Sequence, residues 1–267
     1  MKKRLYFSAI AILAFGFATN TQAVSLWGLL TVDAGYKDDV EIAPGVVKNL
    51  YQGGSYFAMG VNNPNGNAAM LSAGTDGGIQ LGTFQNFVTD PDEPHPDGHP
   101  DAPFGAGSGY NALVSEGTAL SSFSFFGNPT YVGLNPVSYQ SGLSKSAPSL
   151  NLLGGTCAGN VCDIEVDLSA WEVYWNGSVF EQGPRPDNSQ PFTLASGTVN
   201  TVSGDYVLDW SSQILGGPFN GVTAYWHLEG QLLNATSVPP VPVPGAVWLF
   251  GSGLVGLIGI SRKKKSS

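Results

Sequence analysis

Apolar and polar positions alternate along much of the middle of this chain. In GVTAYWHLEGQLL, Val222, Ala224, Trp226, Leu228 and Leu232 interleave with Thr223, Tyr225, His227, Glu229 and Gln231. A period of two is the signature of a half-buried strand. DYVLDW repeats it with Tyr206, Leu208 and Trp210. In CDIEVDLSAWEVYWNG, Ile164, Val166 and Leu168 share one face, opposite Asp163, Glu165 and Asp167. Trp171, Val173 and Trp175 then fall in the other register, so a bulge, a turn or a junction of two strands is expected at Ser169 and Ala170. WNGS reads as a hairpin turn. Further strands are predicted over residues 25–32, 55–61, 120–126 and 190–193. Few stretches have a helical period, and no repeat of fixed length stands out. Short strands with Gly, Asn, Pro and Ser between them predict an all-β body, an antiparallel β-sandwich of jelly-roll type.

The two ends break this pattern. MKKR followed by the thirteen-residue apolar run LYFSAIAILAFGF and the small residues of TQA has the layout of a secretory signal cut after Ala23. The alternative is a retained anchor, for which the run is short. The other end, PGAVWLFGSGLVGLIGI, is apolar and uncharged, and Arg262, Lys263, Lys264 and Lys265 follow it. Residues 246–260 span about 22 Å as a helix and approach the ~30 Å hydrocarbon core when counted from Val243. The basic cluster would remain cytoplasmic under the positive-inside rule, with the body outside. The expected layout is a signal peptide over 1–23, a secreted β-sandwich over 24–236 and a Pro-rich spacer over 237–245. A transmembrane helix over 246–261 and a basic tail over 262–267 complete it.

Charge sharpens the picture of the body. Lys37, Lys48, Lys145 and Arg185 are its only cations, against all twenty acidic residues of the chain, a formal charge of −16. Such a surface repels nucleic acid and anionic lipid. The two cysteines, Cys157 and Cys162, are close enough for a local disulfide across a turn, as suits an exported chain. Two sulfurs alone would not complete a zinc shell.

Three groups of residues could carry chemistry. TDPDEPHPDGHPDAPFG packs Asp90, Asp92, Glu93, His95, Asp97, His99 and Asp101 together. Asp90, Asp92, Asp97 and Asp101 could hold calcium through oxygen ligands. His95 and His99 would suit a transition metal, and the plain alternative is a solvated loop. Tyr225, His227 and Glu229 form a polar row that could bind a ligand, do acid–base work, pair across a sheet or simply face solvent. Asp163, Glu165 and Asp167 lie about 7 Å apart along a strand, near the separation used by glycosidases but common to any acidic strand. Aromatic residues nearby could stack on sugar rings. A Gly-x-Ser-x-Gly elbow, a phosphate loop and a His-Glu-x-x-His motif are all missing from the sequence.

The tail resembles a known family. Val241-Pro242-Val243-Pro244, then Ala246, then Trp248 with Gly251 and Gly253 in WLFGSGLVGLIG, then the basic stop, is similar to the PEP-CTERM sorting signal of Gram-negative bacteria. Val243 stands where the founding motif has Glu, and Gly245 separates Pro244 from Ala246. The resemblance covers about a tenth of the chain. It implies export through the Sec translocon, anchoring in the inner membrane and processing near residues 241–245 by an exosortase, a membrane transpeptidase. It further implies passage to the cell surface or an exopolysaccharide matrix. The expected function is that of a non-enzymatic envelope or extracellular-matrix protein without a cofactor, unless calcium occupies the acidic loop. A carbohydrate-binding or carbohydrate-active protein displayed by the same route is the alternative. An ordinary single-pass membrane protein is the third reading.

Overall fold

The computed structural model describes residues 24–74, 77–85, 119–138, 140–153, 156–186 and 192–237. The chain divides into a compact unit through Thr236 and a second one from Ser237 onward. Within the described residues lie fifteen strands. In chain order they are β1 (Val24–Leu30), β2 (Tyr36–Ala43), β3 (Val46–Gly53), β4 (Tyr56–Met59), β5 (Ala69–Met70), β6 (Ile79–Gln80), β7 (Phe123–Phe125) and β8 (Asn128–Leu134). Then come β9 (Ser149–Leu152), β10 (Val161–Asp167), β11 (Trp171–Trp175), β12 (Ser178–Glu181), β13 (Ala195–Asn200), β14 (Asp205–Gln213) and β15 (Thr223–Ser237).

The strands predicted most strongly form the frame. β10, β14 and β15 bury Ile164, Val166, Leu208, Trp226 and Leu228 and turn Asp163, Asp205, Asp209 and Gln231 outward. The main sheet runs β5-β4-β15-β14-β13-β10-β9-β1-β6, with β15 also paired to β1. That pairing curls six strands into a barrel-like ring, where the sequence predicts two facing layers. The cause is the length of β15, fifteen residues. Its first part pairs with β4, from Ala224 opposite Met59 to His227 opposite Tyr56. Further along it accepts from the continuation of β1, with Thr31 N–H to Gln231 O and Asp33 N–H to Glu229 O, both 2.9 Å. The seam is tight: a Cβ on Gly230 would sit 2.0 Å from the Thr31 carbonyl oxygen. Only glycine allows that approach.

A second, four-stranded sheet, β12-β11-β8-β7, shares its core with the ring. The register flip at Ser169 and Ala170 proves to be a junction of two strands. β10 ends at Asp167, the Trp171 N–H closes a turn on Leu168 O at 2.9 Å, and β11 belongs to the other sheet. At the contact, Trp171 meets Trp210 at 5.2 Å and Trp226 at 5.3 Å, edge to face, while Trp210 and Trp226 stack at 5.8 Å. Such pairs add about 0.5–1.5 kcal/mol each beyond area burial. The WNGS turn is a hairpin between β11 and β12, with Asn176 and Gly177 both at positive φ, 48° and 79°. That is the backbone a two-residue hairpin turn needs.

The β2–β3 hairpin has no counterpart in the predicted strands, because it buries neither face and so shows no alternation. Cys157 and Cys162 are bonded across the turn leading into β10, as the spacing predicts. Residues 192–194 are not strand and β13 begins at Ala195; 190 and 191 lie outside the described residues. The signal segment, the acidic loop and the tail from 238 onward also lie outside them. Among the described residues no helix is long and apolar enough to cross a membrane.

Candidate functional site

The polar row on β15 is built into a clamp. Asp209 and His227 face each other across β14 and β15. His227 Nδ1 lies 2.8 Å from Asp209 Oδ1, and its Nε2 lies 3.0 Å from Glu229 Oε1. Glu229 Oε2 accepts the Gly54 N–H at 2.9 Å, and Oε1 accepts the Tyr51 hydroxyl at 3.2 Å. The single Tyr51 hydroxyl proton is shared with Gly54 O, which lies closer at 2.6 Å. The Tyr56 ring stacks on the imidazole with centroids 4.8 Å apart. Four strands therefore meet here: β3 through Tyr51, β4 through Tyr56, β14 through Asp209, and β15 through His227 and Glu229.

Both ring nitrogens face carboxylate oxygens, and both can donate only in the imidazolium form. Burial pulls the pKa of His227 down, but hydrogen bonds and charge from Asp209 and Glu229 more than reverse this and raise it above 6.5. Burial pushes Glu229 up, but His227, the Gly54 N–H and Tyr51 hold it below the usual carboxylate value. Burial, then the Glu229 charge, raises Tyr51 far above an ordinary phenol. With a carboxylate oxygen at each ring nitrogen, the imidazole ties β14 to β15. Tyr225 stands one strand step away, opposite Ser211 and Ala58. Sequence reasoning found His227 and Glu229 but missed Asp209, Tyr51 and Tyr56. Pairing DYVLDW with the His227 strand would have brought in Asp209.

A second cluster escaped the sequence reading. Glu172 on β11 and Glu181 on β12 lie directly opposite each other, an unfavourable pairing of like charges. Two of the body's four cations offset it. Lys145 Nζ is 2.9 Å from Glu181 Oε1, and Arg185 Nη1 is 3.0 Å from Glu181 Oε2, with all three side chains at most 3% exposed. Ser141 donates to the same carboxylate through a short hydrogen bond. Asn135 Nδ2 donates to Glu172 Oε2 at 2.8 Å. The Lys145 ammonium lies 3.7 Å above the Phe192 ring centre. Burial pushes Glu181 up, but Ser138, Ser141 and Lys145 together hold it below its ordinary value. Burial pulls Lys145 down against the attraction of Glu181. The only advance signal was that cations are so few in an acidic body.

Beside this cluster lies a hollow of about 330 Å³ lined in part by Lys145, Asp167, Ser169, Phe192 and Thr193. Of the predicted acidic row, Asp167 reaches it and accepts the Ser169 N–H at 2.9 Å, while Asp163 is exposed. Asp90, Asp92, Asp97 and Asp101 lie outside the described residues, as do His95 and His99. Among the described residues no three His, Cys, Asp or Glu side chains are grouped to hold a metal ion. No protein family matches the chain, and no curated protein or solved structure matches it.

Proposed function

We propose that this chain is an exported, non-enzymatic envelope or extracellular-matrix protein. It is held in the inner membrane by residues 246–261 until an exosortase-type transpeptidase releases the body. The observation that carries this reading is the order of the tail: Val241, Pro242, Val243 and Pro244, a glycine-rich apolar stretch, then Arg262 to Lys265. The apolar run begins nine positions after the last residue of β15, a short tether. The clamp agrees with a structural role, since its imidazole is spent within the fold. Replacing both Pro242 and Pro244 with alanine tests the sorting step. The body should then accumulate in the inner-membrane fraction of the native host. A variant that reaches the surface or matrix in wild-type amounts removes the Pro-x-Pro segment from the mechanism.

A carbohydrate-binding role is supported by the hollow beside Lys145. It offers an aromatic ring, a carboxylate and hydroxyl groups, the chemistry that recognises sugars. Binding on a glycan array that Asp167→Ala abolishes would favour this second reading.

A further inference from the structure

The ring of six strands has one end of a distinct character. There β1 begins at Val24, β15 ends at Ser237, β13 turns into β14 through residues 201–204, and the disulfide-bonded turn leads into β10. The register places these together: Val24 is opposite Leu152, Val161 opposite Asn200, and Leu232 N–H bonds to Gly204 O at 2.8 Å. A cavity of about 310 Å³ opens at this end, its apolar wall made by Leu26, Leu152, Val199, Leu232 and Ala235. Around it, Val24 is 40% exposed, Val161 41%, Val202 76% and Leu233 38%. Apolar side chains scattered singly are ordinary on a protein surface, but here Val202 lines the cavity and Val24, Val161 and Leu233 stand next to its lining residues Leu152, Asn200 and Leu232, a grouping that marks a contact surface.

The geometry points to a lipid bilayer surface as the occupant of this end, with the rim seated among neutral, zwitterionic headgroups. Two observations select it. The body passes into the rest of the chain at this rim on both sides, and the apolar run from Ala246 begins nine positions beyond Ser237. Nine extended residues span at most about 32 Å, so an anchored tail keeps this rim close to its membrane. Charge supplies the rest. The body's four cations are all elsewhere: Lys37 and Lys48 on the β2–β3 hairpin, Lys145 and Arg185 in the buried cluster. The rim carries exposed Asp205, whose carboxylate takes hydrogen bonds from Ser203 and Gln231. A surface that is apolar and mildly acidic avoids anionic lipid and tolerates a neutral interface. The inference rests on the proposed membrane anchoring by residues 246–261.

Spin labelling of the full chain tests it. The two native cysteines are bonded to each other, so an introduced thiol is labelled alone. A nitroxide at Val202→Cys reports the rim, and one at Val47→Cys reports the exposed end of the β2–β3 hairpin as a control. Leu233→Cys repeats the rim reading on β15 should the turn at 202 not tolerate the label. With the chain reconstituted in phosphatidylcholine vesicles, collisions with oxygen should exceed those with a water-soluble nickel chelate several-fold more at the rim than at Val47. Adding phosphatidylglycerol should reduce that contrast. Equal aqueous exposure at both places overturns the proposal, as does a contrast that grows with phosphatidylglycerol. Spin–spin broadening at 202 that rises with protein density also overturns it, by placing a second copy there. Retention on vesicles through an alkaline carbonate wash separately reads the anchor. A chain retained with an aqueous rim refutes this inference alone, whereas a chain that washes off refutes the anchoring.

Discussion

At Glu181 a single carboxylate takes up the charge of two buried cations, opposite a second glutamate. Breaking a buried pair from one side leaves uncompensated charge, which costs about 3–5 kcal/mol. Glu181→Gln should therefore lower the free energy of unfolding by about that much in urea titration, and Lys37→Gln on the exposed hairpin should change it by less than about 0.5 kcal/mol. His227 gives the body a pH dependence of opposite sign to that of its carboxylates. Its folded pKa is raised, so its contribution is complete below 6.5 and is lost as pH rises through the raised value. Glu229 and Glu181 are depressed, so their contributions are complete above 4.5 and are lost as pH falls through their lowered values. Urea midpoints measured in steps of pH should fall on both sides. His227→Gln should flatten the alkaline limb and leave Glu181's share of the acid limb in place. Two of the clamp's five side chains were legible in the sequence, because His227 and Glu229 share one strand face. Tyr51 and Tyr56 arrive from about 175 positions away, and no local pattern encodes such a meeting.

Among the elements, legibility followed burial on one face. β10, β14 and β15 alternate because one side meets the core and the other meets water, and each was predicted close to its observed place. β2 and β3 expose both faces, so their composition carries no period. β5 and β6 are two residues each, too short for any pattern. The closure of the ring depends on β15 meeting β1 across some 200 positions, and its traces in the sequence are glycines at the seam, Gly230 on β15 and Gly28 on β1. Gly230→Ala places a methyl group against the Thr31 carbonyl. It should cost about 2–3 kcal/mol in a urea titration, as overpacking does. Gly197 is unsuitable as a control because a Cβ there also meets backbone, whereas Gly221 has open space and bears only the cost of its positive φ. The disulfide closes a small loop. Its removal by Cys157→Ser with Cys162→Ser should cost no more than about 2 kcal/mol on the loop-entropy estimate.

At the scale of the whole molecule, an acidic body with a filled core is joined through a short proline-rich spacer to an apolar, basic-ended tail. The all-β class was legible from turn spacing and strand period, while the curl of the sheet was not, since both architectures use the same alternation. Lys145, Glu181 and Arg185 are buried within the body, and the proposed sorting function rests on the order of residues in the tail. The most direct test of that function is the intact mass of the mature protein from its native host, compared between wild type and a strain lacking the exosortase. A wild-type chain that begins at Val24 and ends within residues 241–245, with the tail retained in the deletion strain, is the expected result. A chain that keeps Arg262 to Lys265 in both strains would contradict it, and would leave the tail as a permanent anchor.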